Sequence, residues 1–149
     1  MSTDKTHRIV SIGYEGRSAE ELLDILEANL VEVLVDVRLN PISRKRGLSK
    51  TALREALGER GIGYVHERDL GNPKDNREPF VTGDLPRRRQ RYFARLDNGS
   101  GPAFDRVMEL ARAHRVALLC FEHDERQCHR QCIVERAVAL DPSVGVVRV

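Results

Sequence analysis

A chain of 149 residues with 40% hydrophobic residues is sized for one domain around a single core, and its 32% charged residues leave a formal net charge of only +2. That balance excludes a globally basic or acidic protein, so any electrostatic partner must be argued from local clusters. No run approaches the ~20 apolar residues of a membrane span, and three cysteines crowded between positions 120 and 132 do not make a secreted disulfide framework. A cytoplasmic protein with no membrane association is expected.

Residues 1–7 are polar and read as a flexible tail. Ile9 to Ile12 form a first strand, followed by the turn Gly13-Tyr14-Glu15-Gly16-Arg17. Ser18 and Glu21 then make a capping box for a helix whose buried stripe is Leu22, Leu23, Ile25, Leu26 and Leu30. Val31, Val33, Val35 and Val37 alternate along a second strand, expected to pair in parallel with the first across the helical connection. A basic loop, Ser43-Arg44-Lys45-Arg46-Gly47, leads to a helix capped by Ser49 that buries Leu53, Ala56 and Leu57 and ends near Gly61.

Ile62 to His66 give a third, shorter strand, and residues 67–84 are a polar, turn-rich stretch long enough to act as a loop or lid. Asp84 and Pro86 signal a helix through Arg87-Arg88-Arg89-Gln90-Arg91-Tyr92-Phe93, and Pro102 opens another with Phe104, Val107, Met108 and Ala111 on one face. Val116 to Phe121 are continuously apolar, as in a strand buried on both faces, and Cys132 to Leu140 carry helical spacing before a last strand at 144–149. The sum is a single α/β domain over 1–149, a three-layer Rossmann-like fold with a mainly parallel sheet of about five strands.

Chemistry concentrates where the Val116 strand gives way to the last helix. Carboxyl ends of strands in such sheets face the ligand crevice, and Glu122, Cys128, His129 and Arg130 all fall there. A helix beginning near Gln127 would lower the pKa of Cys128 and attract an anion, with Arg130 free for bidentate contact. Glu122 and His129 are placed to move protons, so Glu122, Cys128 and His129 are the catalytic candidates. A purely structural network of the same residues is the alternative. Tyr14, Arg17 and Ser18 at the first strand's end, Asp36 and Arg38 at the second's, and Arg44 in the basic loop are expected to line the same crevice and bind substrate.

Other constellations are weaker. Gly13-x-x-Gly16 lacks the full dinucleotide fingerprint and carries Glu15 where a pyrophosphate would sit. Cys120 and Arg126 have the C-x5-R spacing of cysteine phosphatases, but the carboxylates of Glu122, Asp124 and Glu125 and no glycine lie between them, so Cys120 reads first as a buried strand residue. Cys120, His123, Cys128, His129 and Cys132 do not follow a familiar ligand spacing, and no metal or other cofactor is assigned from them. Arg44 to Arg46 and Arg87 to Arg91, the latter beside Tyr92 and Phe93, are the places where nucleic acid could dock, although charge runs are usually solvated faces.

Taken in order, Gly13-Tyr14-Glu15-Gly16-Arg17-Ser18, Asp36-Val37-Arg38 with Pro41-x-Ser43-Arg44, Gly61-Ile62-x-Tyr64, Leu70-Gly71 with Pro73, and Leu119-Cys120-x-Glu122 with Cys128-His129-Arg130 resemble the domain of unknown function 488 family, from about residue 9 to 140. The resemblance implies a small bacterial or archaeal cytoplasmic α/β protein whose motifs gather at one site. It supplies no reaction. Cys132 is not part of the family pattern, and Phe121 stands where a small residue is common.

The residues and the resemblance lead to one expectation: an enzyme acting on a small phosphate-bearing substrate, a nucleotide or nucleic-acid component, with Arg38 and Arg130 holding the anion. The alternatives are a non-catalytic nucleotide or nucleic-acid binding module using the same pocket, and a metal-binding redox protein.

Overall fold

The computed structural model describes residues 8–72, 85–123 and 128–149. Strands β1 (Ile9–Gly13), β2 (Val33–Asp36), β3 (Gly63–His66), β4 (Val116–Cys120) and β5 (Val146–Arg148) form one sheet in the order β3-β2-β4-β1-β5. Every neighbouring pair is parallel. Helices α1 (Ala19–Ala28) and α2 (Lys50–Glu59) cover one face of the sheet, packing on Val10, Ile12, Leu34, Ala117 and Leu119. Helices α3 (Leu85–Asp97), α4 (Gly101–Ala113) and α5 (Arg130–Leu140) cover the other, on Ile9, Val35, Val116 and Leu118. This is a three-layer Rossmann-like α/β domain.

The sheet places β4 at its centre because all five of its residues, Val-Ala-Leu-Leu-Cys, are apolar and buried, and only a central strand has both faces and both edges covered. The expected pairing of the first two strands is therefore corrected: β1 and β2 flank β4 instead of touching each other. Gly-Tyr-Val-His of β3, only half-buried, takes an edge. The capping box of α1 forms as the sequence predicts, with the Glu21 amide donating to Ser18 Oγ at 3.1 Å and the Ser18 amide to Glu21 Oε1 at 2.8 Å. Leu30, expected in the buried stripe, instead sits past the helix end at φ 58° and is 61% exposed, because the chain must reverse there to enter β2. Ser49 stands at the start of α2, but its hydroxyl serves the amide and carbonyl of Ser43 rather than capping the helix.

Glu67–Asn72 run through a short 3-10 turn at Arg68–Leu70. The expected tail at 1–7, the larger part of the expected lid (73–84), the Asp84 helix start and positions 124–127, including Arg126, lie outside the described residues.

The topology fixes where a crevice opens. β1 and β2 both lead into helices on one face, whereas β4 leads into α5 on the other. The connections part on either side of β4, so its carboxyl end is a topological switch point, the usual ligand position in an open parallel sheet.

Candidate functional site

Backbone ladders carry three strand ends past the sheet and hold them together. The amides of Tyr14 and Glu15 donate to the carbonyls of Cys120 and Phe121, at 3.2 and 2.8 Å, and the Val37 amide donates to the Leu119 carbonyl at 3.1 Å. Gly13 is what permits the first of these approaches. A Cβ there would lie 1.9 Å from the Glu122 carbonyl oxygen, so any side chain would push Glu122 away from β1. Gly71 does the same for the second strand end, where a Cβ would stand 2.5 Å from Leu39 Cα.

Between these ends lies a pocket of about 150 Å³. Its walls come from Tyr14 after β1, Arg38 to Asn40 after β2, Asn72 after the 3-10 turn, Cys120 to Glu122 at the end of β4, and Cys128 and His129 before α5. Ile42 and Phe121, both exposed, stand at the rim, and Phe121 meets the Tyr14 ring edge-on with centroids 5.3 Å apart.

One wall is an ion pair built into the sheet. Asp36 is wholly buried and accepts from Arg38 Nε at 2.9 Å, Arg38 Nη2 at 2.7 Å, the Arg38 amide at 3.1 Å and the Tyr64 hydroxyl at 2.6 Å. Arg38 Nη1 donates to the Leu48 carbonyl at 2.6 Å, and its guanidinium carbon stands 5.4 Å from the centre of the Tyr14 ring. Burial opposes the charge on Arg38, but the Asp36 hydrogen bonds and charge outweigh it and raise the arginine pKa. Burial beside Asp36 also raises that of Tyr64.

The floor is a cluster of sulfur, imidazole and carboxyl groups. Cys120 Sγ lies 3.4 Å from Glu122 Oε2 and 4.0 Å from His129 Nδ1, and Cys128 Sγ lies 3.6 Å from the same nitrogen. His129 Nε2 stands 3.0 Å from the Val37 carbonyl, which can only accept, so Nε2 carries the proton and Nδ1 faces the thiols. The Arg130 amide, first in α5, donates to Cys128 Sγ at 3.4 Å. Tyr92 of α3 packs its ring 5.2 Å from the His129 ring and anchors its own hydroxyl on the Leu70 carbonyl.

These groups share charge. A hydrogen bond from Cys128, together with the positive charges of His129 and Arg130, brings the Cys120 thiol well below its ordinary range despite burial. Burial pushes the Cys128 thiol up, and the neighbouring Cys120 sulfur adds to this. Burial, then the charge on Cys120, pushes Glu122 up to about 7. Burial works against a charged His129, but the attraction of Cys120 prevails and raises its pKa. The sequence-based expectation of a Cys128 thiolate is thus corrected. The helix begins at Arg130 rather than near Gln127, and the low-pKa thiol is Cys120.

Of the residues singled out from the sequence, Tyr14, Arg38, Glu122, Cys128 and His129 come together around the pocket. Asp36 stands behind Arg38. Arg130 is not on the lining. Among the described residues it heads the fully buried side chains in volume, donating from Nε to Ser11 Oγ at 2.7 Å, from Nη1 to the Ile12 carbonyl at 3.0 Å and from Nη2 to the His123 carbonyl at 3.4 Å, so it ties β1 to the loop after β4. Its expected fork toward a ligand is corrected accordingly. Arg17 turns back to the Gly13 carbonyl at 3.1 Å, Ser18 is spent on the α1 cap, and Arg44 is exposed on the loop beyond the rim. Lys45 of that loop ties it to the β1 turn through the carbonyls of Tyr14 and Arg17.

Four contributors went unassigned from sequence. Cys120 reads first as an apolar strand residue, although its C-x5-R spacing to Arg126, its place in the Cys-His group and its position at the strand end are signals that it does more. Tyr64 appears within the Gly61-Ile62-x-Tyr64 motif, which was a usable signal. Asn72 lies in a polar stretch where nothing distinguishes it, and Tyr92 is hidden in an arginine-rich helix.

Comparison with curated proteins and with solved structures returns no match. A family model described as "Domain of unknown function DUF488" matches residues 18–137, a span that contains the Arg38 ion pair and the whole floor cluster. The chain therefore belongs to the domain of unknown function 488 family.

Proposed function

We propose that this pocket is the active site of an enzyme acting on a phosphate-bearing substrate, a nucleotide or nucleic-acid component. One observation carries the reading: a half-buried carboxyl, Glu122, sits beside Cys120 and His129 on the floor of a small pocket at the sheet's switch point. Such a carboxyl is placed to give or take a proton from a bound group, while Cys128 and His129 complete a polar floor against which the reacting atom rests.

The distribution of charge supports a particular orientation. Arg38 is the guanidinium on the pocket wall and is already matched by Asp36, so the floor is a poor cradle for a dianion. Arg44 and Arg46 are exposed on the loop that also supplies Ile42 to the rim. A substrate would enter with its neutral, ring-bearing end inward, past Phe121 at the rim and against Tyr14, and leave its phosphate at the rim within reach of Arg38 and the basic loop. Longer nucleic acid would continue over exposed arginines such as Arg87 and Arg91 of α3. Three free cysteines fit a reducing cytoplasm.

The test is a mass-spectrometric screen for product with nucleoside mono-, di- and triphosphates and short RNA and DNA oligonucleotides. Glu122→Gln is expected to bind the converted compound with unchanged affinity and lose about a hundredfold or more in turnover. Undiminished turnover in Glu122→Gln would reject the assignment. Binding by the wild type with no product from any compound would favour a non-catalytic module instead.

A further inference from the structure

We propose that Cys120 Sγ, Cys128 Sγ and His129 Nδ1 form a binding site for a tetrahedral zinc ion, with the fourth position turned to the pocket beside Glu122. The inference concerns what the floor binds and does not depend on whether the pocket is catalytic.

The three ligand atoms lie within 4.8 Å of one another although one of them comes from the end of β4 and two from the entry to α5. At zinc–sulfur and zinc–nitrogen bond lengths of about 2.3 and 2.0–2.1 Å, tetrahedral coordination sets a sulfur and a nitrogen about 3.6 Å apart. Cys128 Sγ and His129 Nδ1 stand at 3.6 Å, and Cys120 Sγ needs to close on the imidazole by only a few tenths of an ångström from 4.0 Å. Two thiolates with one imidazole are a donor set that selects zinc over magnesium or calcium.

The surroundings match what a metal site requires beyond its ligands. A ligating histidine ordinarily donates its other ring N–H to a carbonyl or carboxylate, and His129 donates Nε2–H to the Val37 carbonyl at 3.0 Å, which leaves the Nδ1 lone pair directed at the two sulfurs. Cys128 Sγ receives the Arg130 amide at 3.4 Å, and the Tyr92 ring holds the imidazole plane. All three ligands are buried, whereas Glu122, whose Oε2 is 3.4 Å from Cys120 Sγ, is half-buried and faces the pocket. That arrangement is an open site, with three protein ligands and one position for water or a substrate atom. Cys132, the third thiol, packs in the core among α5 and α3 residues and is outside the cluster.

The full chain, purified without chelator and without a metal-affinity step, is expected to carry about one zinc per molecule by elemental analysis. Replacement by cobalt should give the sulfur-to-metal charge-transfer band and the intense visible bands of a tetrahedral site. Cys128→Ser and His129→Ala should lose the metal and the bands, and Cys132→Ala should keep both. In case those variants fold poorly, iodoacetamide labelling of the wild type provides a second readout: Cys120 and Cys128 should be protected by zinc and labelled after chelation. Wild-type protein that binds neither metal at stoichiometric level, or thiols whose labelling ignores zinc, would overturn the proposal. Metal content is read without any substrate, so its failure would leave the Glu122 assignment standing. A metal-loaded Glu122→Gln with full turnover would do the reverse.

Discussion

Removing the charge of Asp36 should cost more stability than any surface ion pair in the molecule. Asp36 is wholly buried and Arg38 nearly so, and the carboxylate accepts three hydrogen bonds from Arg38 and one from Tyr64. Asp36→Asn preserves the volume but leaves a buried guanidinium without its counter-charge and sets an amide N–H₂ against donors that formerly met an oxygen. Breaking one side of a buried pair costs about 3–5 kcal/mol, which for a chain of this size lowers Tm by about 10 °C or more. Tyr64→Phe removes a single bond to a charged acceptor and should cost about 1.5–3 kcal/mol. Asp36→Asn combined with Arg38→Met removes both charges and should recover at least about 2 kcal/mol of the single-variant loss. Urea unfolding of the wild type, these three variants and the Arg38→Met single variant that closes the cycle, followed by far-ultraviolet circular dichroism, gives the coupling directly. A coupling below about 0.5 kcal/mol would refute the reasoning, because the pair would then behave as an exposed one.

Three further outcomes follow from the same geometry. Gly13→Ala places a methyl 1.9 Å from the Glu122 carbonyl, a rigid backbone atom, so it should cost at least about 1–3 kcal/mol and impair the pocket's function as well, whereas Gly16→Ala, at φ 74° with open space around it, should cost about 1 kcal/mol and leave function intact. Paired urea titrations and ligand-binding or turnover assays separate the two. Arg130→Lys cannot span Ser11, Ile12 and His123 at once and should lose about 2–3 kcal/mol with little direct effect on ligand affinity, as read by unfolding and by titration calorimetry. Ser18→Ala should cost about 1 kcal/mol through loss of the α1 cap, while Ser49→Ala should instead loosen the Ser43–Gly47 loop, seen as faster amide exchange at Ser43, since no cap is lost there.

The elements were legible because their signals are local. The Ser18-Glu21 box, the unbroken apolar run of β4 and the 3.6-residue spacing of α4 each state their own structure within a few residues. Strand order was not, because a strand's sequence says how far it is buried and not which neighbour it has; β2 pairs with β4 although partners such as Val33 and Val116 stand 83 positions apart in the chain. The same limit explains Arg130. In sequence a long cation beside His129 and Cys128 looks available to an anion, but the carbonyls and hydroxyl that consume its donors belong to β1 and to the loop after β4, and only the fold brings them near. Leu30 failed for a different reason: helical spacing continues formally past the last turn, and the reversal at φ 58° that exposes it leaves no hydropathy signal. The pocket itself was partly readable, since residues after three predicted strands pointed to one rim. Cys120 was not, because a thiol in an apolar strand gains its character from groups that arrive from α5 and from beyond β4.

Backbone amide NMR with a bound nucleotide would show whether the ends of β1, β2 and β4 act as one functional pocket, as proposed. Titration with the nucleotide that the screen identifies should shift the amides of Tyr14, Leu39, Asn40, Glu122 and His129 together, with a single dissociation constant. Shifts confined to Arg87–Arg91 on α3, with those five amides unmoved, would contradict it.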